Sequence, residues 1–512
     1  MTHKDIKNTI RKQLKKEYPN WKRLSKKEKK AIAKKVLYEV ESEYDYELPI
    51  RTPFSELSGI EHQVGIENKI MNLTEMEKFI SDVDNGNLFR FTDTQGHPAI
   101  KDKELRLIDK LLNDQIINRL LSYDGFTPSM REFMPGVFLR AELVKAVKYP
   151  EISYRKFCGD NGDYDGHKKD NAFTGKEQKE TRAFIGLPLN KNQFISHVQL
   201  SQFRNNLTFV QQVNLTVYIL HYFNKSGLLK EGVLHCVDST ELAADSARPS
   251  ATLKVRGKKI RIYTDIDCDC GRRRNKCDKS VYVVGYRMHT LSAICPKTGQ
   301  SYPLISMLAP ANHHDSHFLP YLSKLGKAMG LEINVITADE AYHDKNGLML
   351  AETGVCLVKP PNAKVSIPEN VRTAAMEVTL DEFCEIPMNY MGVTADGHEY
   401  KCAAVTGECP RSHTCPQFRL IPMDNGRFQP IVHGSEEVAK ALELRKNGER
   451  PFNLIKKREG LDVTRVRSQQ SLLARCTITT MATLLLEIIN TRRKRKRKWI
   501  QIQSELPLAS GF

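Results

Sequence analysis

Apolar positions along the chain fall into three textures. Between about residues 105 and 227 they recur three and four apart, in "LRLIDKLLNDQIINRLL", "GVFLRAELVKAVKY" and "HVQLSQFRNNLTFVQQVNLTVYILHYFNKSGLL". That spacing predicts a series of amphipathic helices. After Gly227 the pattern shortens to apolar or alternating runs bounded by Gly, Pro and polar residues: "GVLHCVDST", "SVYVVGYRMHTLSAIC", "QSYPLISMLAP" and "EINVITADEAY". These predict strands, with "HDSHFLPYLSKLGKAMG" as a helix before the last of them. The third texture is "SLLARCTITTMATLLLEIIN", residues 471 to 490, apolar nearly throughout. It approaches membrane-span length, but Arg475 and Glu487 interrupt it, which predicts a buried helix packed on a sheet.

These elements make a mixed α/β sheet with flanking helices, preceded by a mainly helical region. At 512 residues several structural units are expected. The divisions are a basic arm at 1–48, a connecting region at 49–104, a helical unit at 105–227, a catalytic unit at 228–360 and 445–490, an insert at 361–444, and a basic tail at 491–512. Short helices with polar turns and an exposed "SQFRNN" suit a helix-turn-helix, with Arg204 on the DNA side. "CGDNGDYDGHKKDN" resembles a calcium loop, but its twelfth position from Asn161 is Ala172 where a glutamate should close the coordination, so it reads as an acidic surface loop.

Charge narrows the class of partner. The chain carries 78 basic and 61 acidic residues, net +17. The excess is concentrated at the ends: fourteen basic residues lie between Lys4 and Lys35 against Asp5, Glu17 and Glu28, and "RRKRKRK" fills 492 to 498. A polyanion is the natural partner, nucleic acid ahead of membrane. The tail reads as disordered or as a clamp on a phosphate backbone. Twelve cysteines in so long a chain are below a secretory disulfide density, and "MTHKDIKNTIRKQLKKEY" has no apolar signal core, so reduced thiols and a cytoplasmic location are expected.

Candidate chemistry lies at strand ends. Asp238 closes "LHCVDST" and Asp339 closes "NVITAD". Each alone suits a turn or helix cap. Together, at carboxyl ends of strands in one sheet, they stand where α/β folds bind ligands. They supply hard oxygen donors for Mg²⁺ or Mn²⁺, and a third acid from a neighbouring helix would complete a two-metal site. In "RKNGERPFNLIKKREGLD", Glu449 sits among Arg445, Lys446, Arg450 and Lys456 at the start of a predicted amphipathic helix. It is either a salt-bridged surface acid or that third ligand, its basic neighbours then holding phosphate. His289, His313, His314 and His343 cluster near these acids and are read as structural.

The ordered blocks "VDST", "VVGYRMHTL", "APANHHDS", "TADEAYHD" and "RKNGERPFNLIK" resemble a DDE transposase of bacterial and archaeal insertion sequences, in the group with a Y-x2-R-x3-E-x6-K signature. Arg445, Glu449 and Lys456 stand at its R, E and K spacings, whereas Leu442 occupies the tyrosine position. The resemblance covers most of 228–490. It implies a ribonuclease H-like core, Asp238, Asp339 and Glu449 as ligands of Mg²⁺ or Mn²⁺, and Arg445 and Lys456 gripping transposon-end phosphates. It further implies cleavage and strand transfer at terminal inverted repeats by a homodimer. A DNA-binding regulator that keeps the fold without catalysis is the alternative.

Two cysteine clusters leave zinc open. Cys402, Cys409 and Cys415, with His413 and His398 nearby, lie in the insert, and Cys268, Cys270 and Cys277, with Cys295 as a fourth, in a hairpin-like excursion. Neither has the C-x2-C knuckle usual for Zn²⁺, and ordinary thiols are the competing reading of both. Arg272, Arg273 and Arg274 in the second cluster are expected to touch DNA.

Overall fold

The computed structural model describes residues 63–83, 100–122, 133–158, 176–187, 195–229, 233–244, 251–255, 258–265, 267–274, 280–344, 348–360, 436–459 and 468–505, with parts of 371–421 and two isolated residues. The basic arm, the calcium-like loop, His413 and Cys277 lie outside the described residues.

The helical region comprises α1 (Leu73–Asp82), α2 (Lys103–Asp109), α3 (Asp114–Ser122), α4 (Pro135–Lys148), α5 (Tyr154–Cys158), α6 (Lys176–Ile185), α7 (His197–Asn206) and α8 (Phe209–Lys225). Local chemistry starts several of them. Ser196 with Gln199 and Thr208 with Gln211 form capping boxes ahead of α7 and α8, and Pro135 opens α4 where no N–H is needed.

The strands that follow are β1 (Leu234–Ala243), β2 (Ala251–Val255), β3 (Lys258–Ile262), β4 (Asp269–Arg274), β5 (Ser280–Ile294) and β6 (Ser301–Pro310). Helix α9 (Leu319–Ala328) precedes β7 (Val335–Thr337), and α10 (Leu348–Thr353) precedes β8 (Cys356–Val358). β4, β5, β1, β7 and β8 lie side by side in that order, and β6 also pairs with β5, along its second half where β4 has ended. β5 is antiparallel to β1, β4 and β6, whereas β7 and β8 run parallel to β1. This is a mixed sheet with helices on it, in an α/β chain. β1 runs five residues beyond Asp238, so that acid lies within the strand and not at its end.

The insert holds β9 (Val371–Arg372) paired with β10 (Glu377–Val378), and a three-stranded sheet of β11 (Met388–Thr394), β12 (Gly397–Cys402) and β13 (Phe418–Ile421). α11 (Glu436–Arg445), expected within the insert, packs on β7 and β8. A 3-10 turn, Lys446–Glu449, separates α11 from α12 (Arg450–Glu459), so the amphipathic helix expected to start at Glu449 begins one residue later.

The last helix, α13 (Gln469–Glu505), removes the disordered alternative for "RRKRKRK", because its backbone stays helical through that run. It packs on β6, α4, α7 and α8, so one apolar core runs from the helical region into the sheet. It is long and apolar enough to cross a membrane, but 94 % of its apolar window is buried inside the protein. β6 is buried along its length. Its outer edge is closed by Gln63, whose side-chain amide donates to Leu308 O and accepts from Leu308 N, both at 3.1 Å.

Arg204 is also corrected. Its guanidinium is buried, ion-paired with Glu142, and lies over the Tyr154 ring at 4.3 Å, so it ties α7 to α4 and α5 and is not offered to DNA. The sequence marks it as exposed because its neighbours in "SQFRNN" are polar. Leu200 and Phe203 nevertheless turn this face of α7 inward, and an acid on α4 meets the charge there.

Candidate active site

Sheet register brings the two aspartates together. His235 pairs with Ile336 and Cys236 with Thr337 in the parallel ladder of β1 and β7. The same offset two residues further on places Asp238 beside Asp339, just past the end of β7. Backbone amides hold both carboxylates: Asp238 Oδ1 accepts from Ser239 N at 2.8 Å, and Asp339 Oδ1 from Ala341 N at 2.9 Å.

The third acid arrives through the 3-10 turn, which packs on β1 and β5. Gly448 is buried against Cys236, and a Cβ built there would lie 2.6 Å from Cys236 Sγ. A residue without a side chain lets this turn lie against Cys236 on β1, two residues before Asp238, with nothing displaced. From the other side, Arg450 Nη1 donates to Gly299 O at 3.0 Å in the turn between β5 and β6. Glu449 itself is exposed on the rim. Arg445, the last residue of α11, is half-buried, as are Leu442 one turn earlier and Lys456 on α12.

Electrostatics shows which of these groups share one field. Asp238 is pushed up to about 7, first by burial, with the Asp339 and Glu449 charges adding and the Ser239 amide and Arg445 opposing. Asp339 is raised by burial and by the charge of Asp315, while the Ala341 amide and Arg445 lower it. Burial pushes the neighbouring Cys236 thiol up to about 12. A buried carboxylate beside a half-buried one, the first titrating near neutral pH, is a donor set that suits a hard divalent cation. Among the described residues no three His, Cys, Asp or Glu side chains are grouped closely enough to hold a metal ion as they stand. The fit is therefore carried by Asp238 and Asp339, with Glu449 near enough to act on Asp238 through its charge.

Several residues around the acids had no assigned role in the sequence. Asp315, buried at the head of a 3-10 turn, Asp315–His317, accepts from Arg287 Nη1 at 2.9 Å. Lys359 follows β8, and its Nζ lies 2.8 Å from His343 Nδ1. Burial lowers the Lys359 ammonium from its usual range, against the Glu340 and Asp339 charges. The "HHDS" block and the lysine after "VCLV" are visible in sequence, but nothing there says which acid or strand end they meet. His289 is fully buried, stacked on Phe318, and pushed down to about 3 by burial, so it is neutral.

The remaining candidates are dispersed. Arg272 is exposed on β4, and Arg273 and Arg274 follow it on the same strand, so the expected excursion is instead an edge of the main sheet. Cys268 is buried with its thiol donating to Asp265 O, Cys270 and Cys295 are half-buried, and among the described residues the three are not grouped for a metal. In the insert, Cys402 and Cys415 accept from the amides of Ala404 and Gln417, each at 3.4 Å, and among the described residues they and Cys409 form no metal group.

Compared with known proteins, the chain matches no protein-family model and no curated sequence.

Proposed function

We propose that this chain is a DDE-type DNA transposase with a ribonuclease H-like core, which cuts and joins DNA strands at the ends of its own element. The observation that carries the proposal is the shared rank of Asp238 on β1 and Asp339 just past the adjacent parallel β7, with Arg445 acting on both through its charge and Glu449 on Asp238. The strand order β6-β5-β1-β7-β8, three antiparallel strands followed by two parallel ones, supports the same core. Net charge +17 supports a DNA partner.

In this reading Asp238 and Asp339 hold Mg²⁺ or Mn²⁺, and Glu449 joins them. Bound there, the metal supplies a lowered pKa for the attacking hydroxyl and neutralises charge on the scissile phosphate. The chain's own residues position the DNA. Arg445 offers its guanidinium to a non-bridging phosphate oxygen, and Lys456 and Arg272 are assigned to the flanking backbone. The Ser239 and Ala341 amides keep the two carboxylates oriented before DNA arrives. Two ends must be handled together, so the working form is a homodimer acting on chromosomal DNA in the cytoplasm.

The test is cleavage of a duplex ending in the element's inverted repeat, with Mg²⁺ or Mn²⁺ present. Glu449→Gln is expected to lower the cleavage rate by at least ~100-fold, as loss of a ligand to the ion that would neutralise transition-state charge does. Equal rates for variant and wild type overturn the assignment of Glu449. A second reading, a DNA-binding regulator without catalysis, is favoured by Leu442 at the signature tyrosine and by the ungrouped acids. It predicts tight, salt-sensitive repeat binding with no cleavage in the same assay.

A further inference from the structure

The backbone ladder between β1 and β7 stops at Cys236 and Thr337, two residues short of the acids. Something other than sheet hydrogen bonds must therefore fix the separation of Asp238 and Asp339. The 3-10 turn after β6 bonds to both acid-bearing segments. Asp315 Oδ1 accepts from Ser239 Oγ at 3.2 Å, and Ser239 is the residue whose amide holds Asp238. The next residue, Ser316, donates from Oγ to Ala341 O at 3.0 Å and accepts from His343 N at 3.1 Å. Ala341 is in turn the residue whose amide holds Asp339.

The turn is itself anchored. Arg287 on β5 donates to Asp315 Oδ1 at 2.9 Å and stands 3.6 Å from Glu241 on β1. His289, opposite Ser239 in the β1–β5 register, stacks on Phe318 just past the turn, and its Nδ1 lies 3.0 Å from the Tyr342 hydroxyl. Tyr342 follows Asp339, and its amide donates to Asp339 O at 3.3 Å. Taken together, these contacts tie the two acid-bearing segments to the turn and to β5.

We propose that Asp315 and Ser316 form a positioning staple, which holds Ser239 on one side and the Ala341–His343 loop on the other and so sets the spacing of the two metal-binding acids. The inference rests on the metal-binding role proposed above for Asp238 and Asp339. Neither Ser316 nor Ser239 carries a charge, and neither is assigned to touch metal or DNA. Both act only through the residues they hold. Supporting groups of this kind typically change metal affinity when removed, even though the ligands stay in place.

The experiment measures Mn²⁺ binding to the full-length chain without DNA, from the electron paramagnetic resonance signal of free Mn²⁺. Thermal melts are run on the same samples. Ser316→Ala and Ser239→Ala are each expected to weaken Mn²⁺ binding about 10-fold or more, and Ser316→Thr, which keeps the hydroxyl, to restore it. The two alanine variants cut the staple at opposite ends, so a folding defect in one leaves the other to decide. Wild-type Mn²⁺ binding in a folded alanine variant overturns the staple and leaves the proposed function standing. Wild-type protein that binds no Mn²⁺ overturns the proposed metal site, and the staple with it.

Discussion

Asp238 has a measurable consequence in the absence of any metal. In the unfolded chain its carboxyl loses its proton near the ordinary 3.8, and in the folded protein near 7. Between those values the native state binds more protons than the unfolded one, so the contribution of Asp238 to stability is full below about 4. It falls as pH rises, and the loss is complete above about 7. Asp238→Asn removes the titration. In metal-free buffer, the stability of the Asn variant relative to wild type is expected to rise by ~3–4 kcal/mol between pH 4 and pH 8, read from urea unfolding. His235 and His289, pushed down by burial to about 4 and about 3, act in the opposite sense, since they favour unfolding as pH falls below 6.5. Both histidines are present in wild type and variant, so their contributions cancel in the difference. A flat difference across this range would show that Asp238 is ionised throughout.

At the scale of elements, the short turn between α11 and α12 governs where the third acid stands. Gly448→Ala would place a methyl 2.6 Å from Cys236 Sγ, and the turn or the buried Cys236 side chain must shift to accommodate it. Overpacking of this kind costs ~1–3 kcal/mol, and the displaced Glu449 is expected to lower cleavage as well. Adding Cys236→Ala removes the clashing sulfur, so the double variant should be more stable than the two single losses predict, by ~1 kcal/mol in a double-mutant cycle. Strict additivity would mean that the turn does not rest on Cys236. The same turn marks a limit of the sequence pattern. "RKNGERPFNLIKK" places a helix start near Glu449, but the 3-10 turn before it follows from packing on β1, which no local spacing records. Asp238 and Asp339 were legible because each follows an apolar run long enough to be a buried strand. Asp315 was not, because its partners Arg287 and Ser239 lie 28 and 76 residues away and meet it only through the sheet. Arg204 failed for the converse reason: polar neighbours in sequence hid an inward-facing position paired with Glu142.

Across the whole molecule, α13 links the core to the charge. Its first part is apolar and was legible as a buried helix. The basic run was not legible as helix, since seven consecutive cations repel and give no apolar period. The structure supplies the missing support in part: Arg495 Nη2 donates to Ser226 O at 2.8 Å, and Arg493 stands 3.8 Å from Glu104, so this stretch is tied back onto α2 and the end of α8. Arg492 and Lys494 alternate with them and are exposed. If the helix runs along a DNA backbone, these two charges displace counterions while Arg493 and Arg495 hold the helix in place. Arg492→Gln with Lys494→Gln is then expected to reduce the slope of log affinity against log salt by up to ~0.9 per charge, ~1.8 in all. The melting temperature should stay within error of wild type, because neither side chain is buried. Duplex binding measured over a series of NaCl concentrations gives the slope directly. An unchanged slope would place the DNA path elsewhere, with Arg272 on the β4 edge as the next position to neutralise.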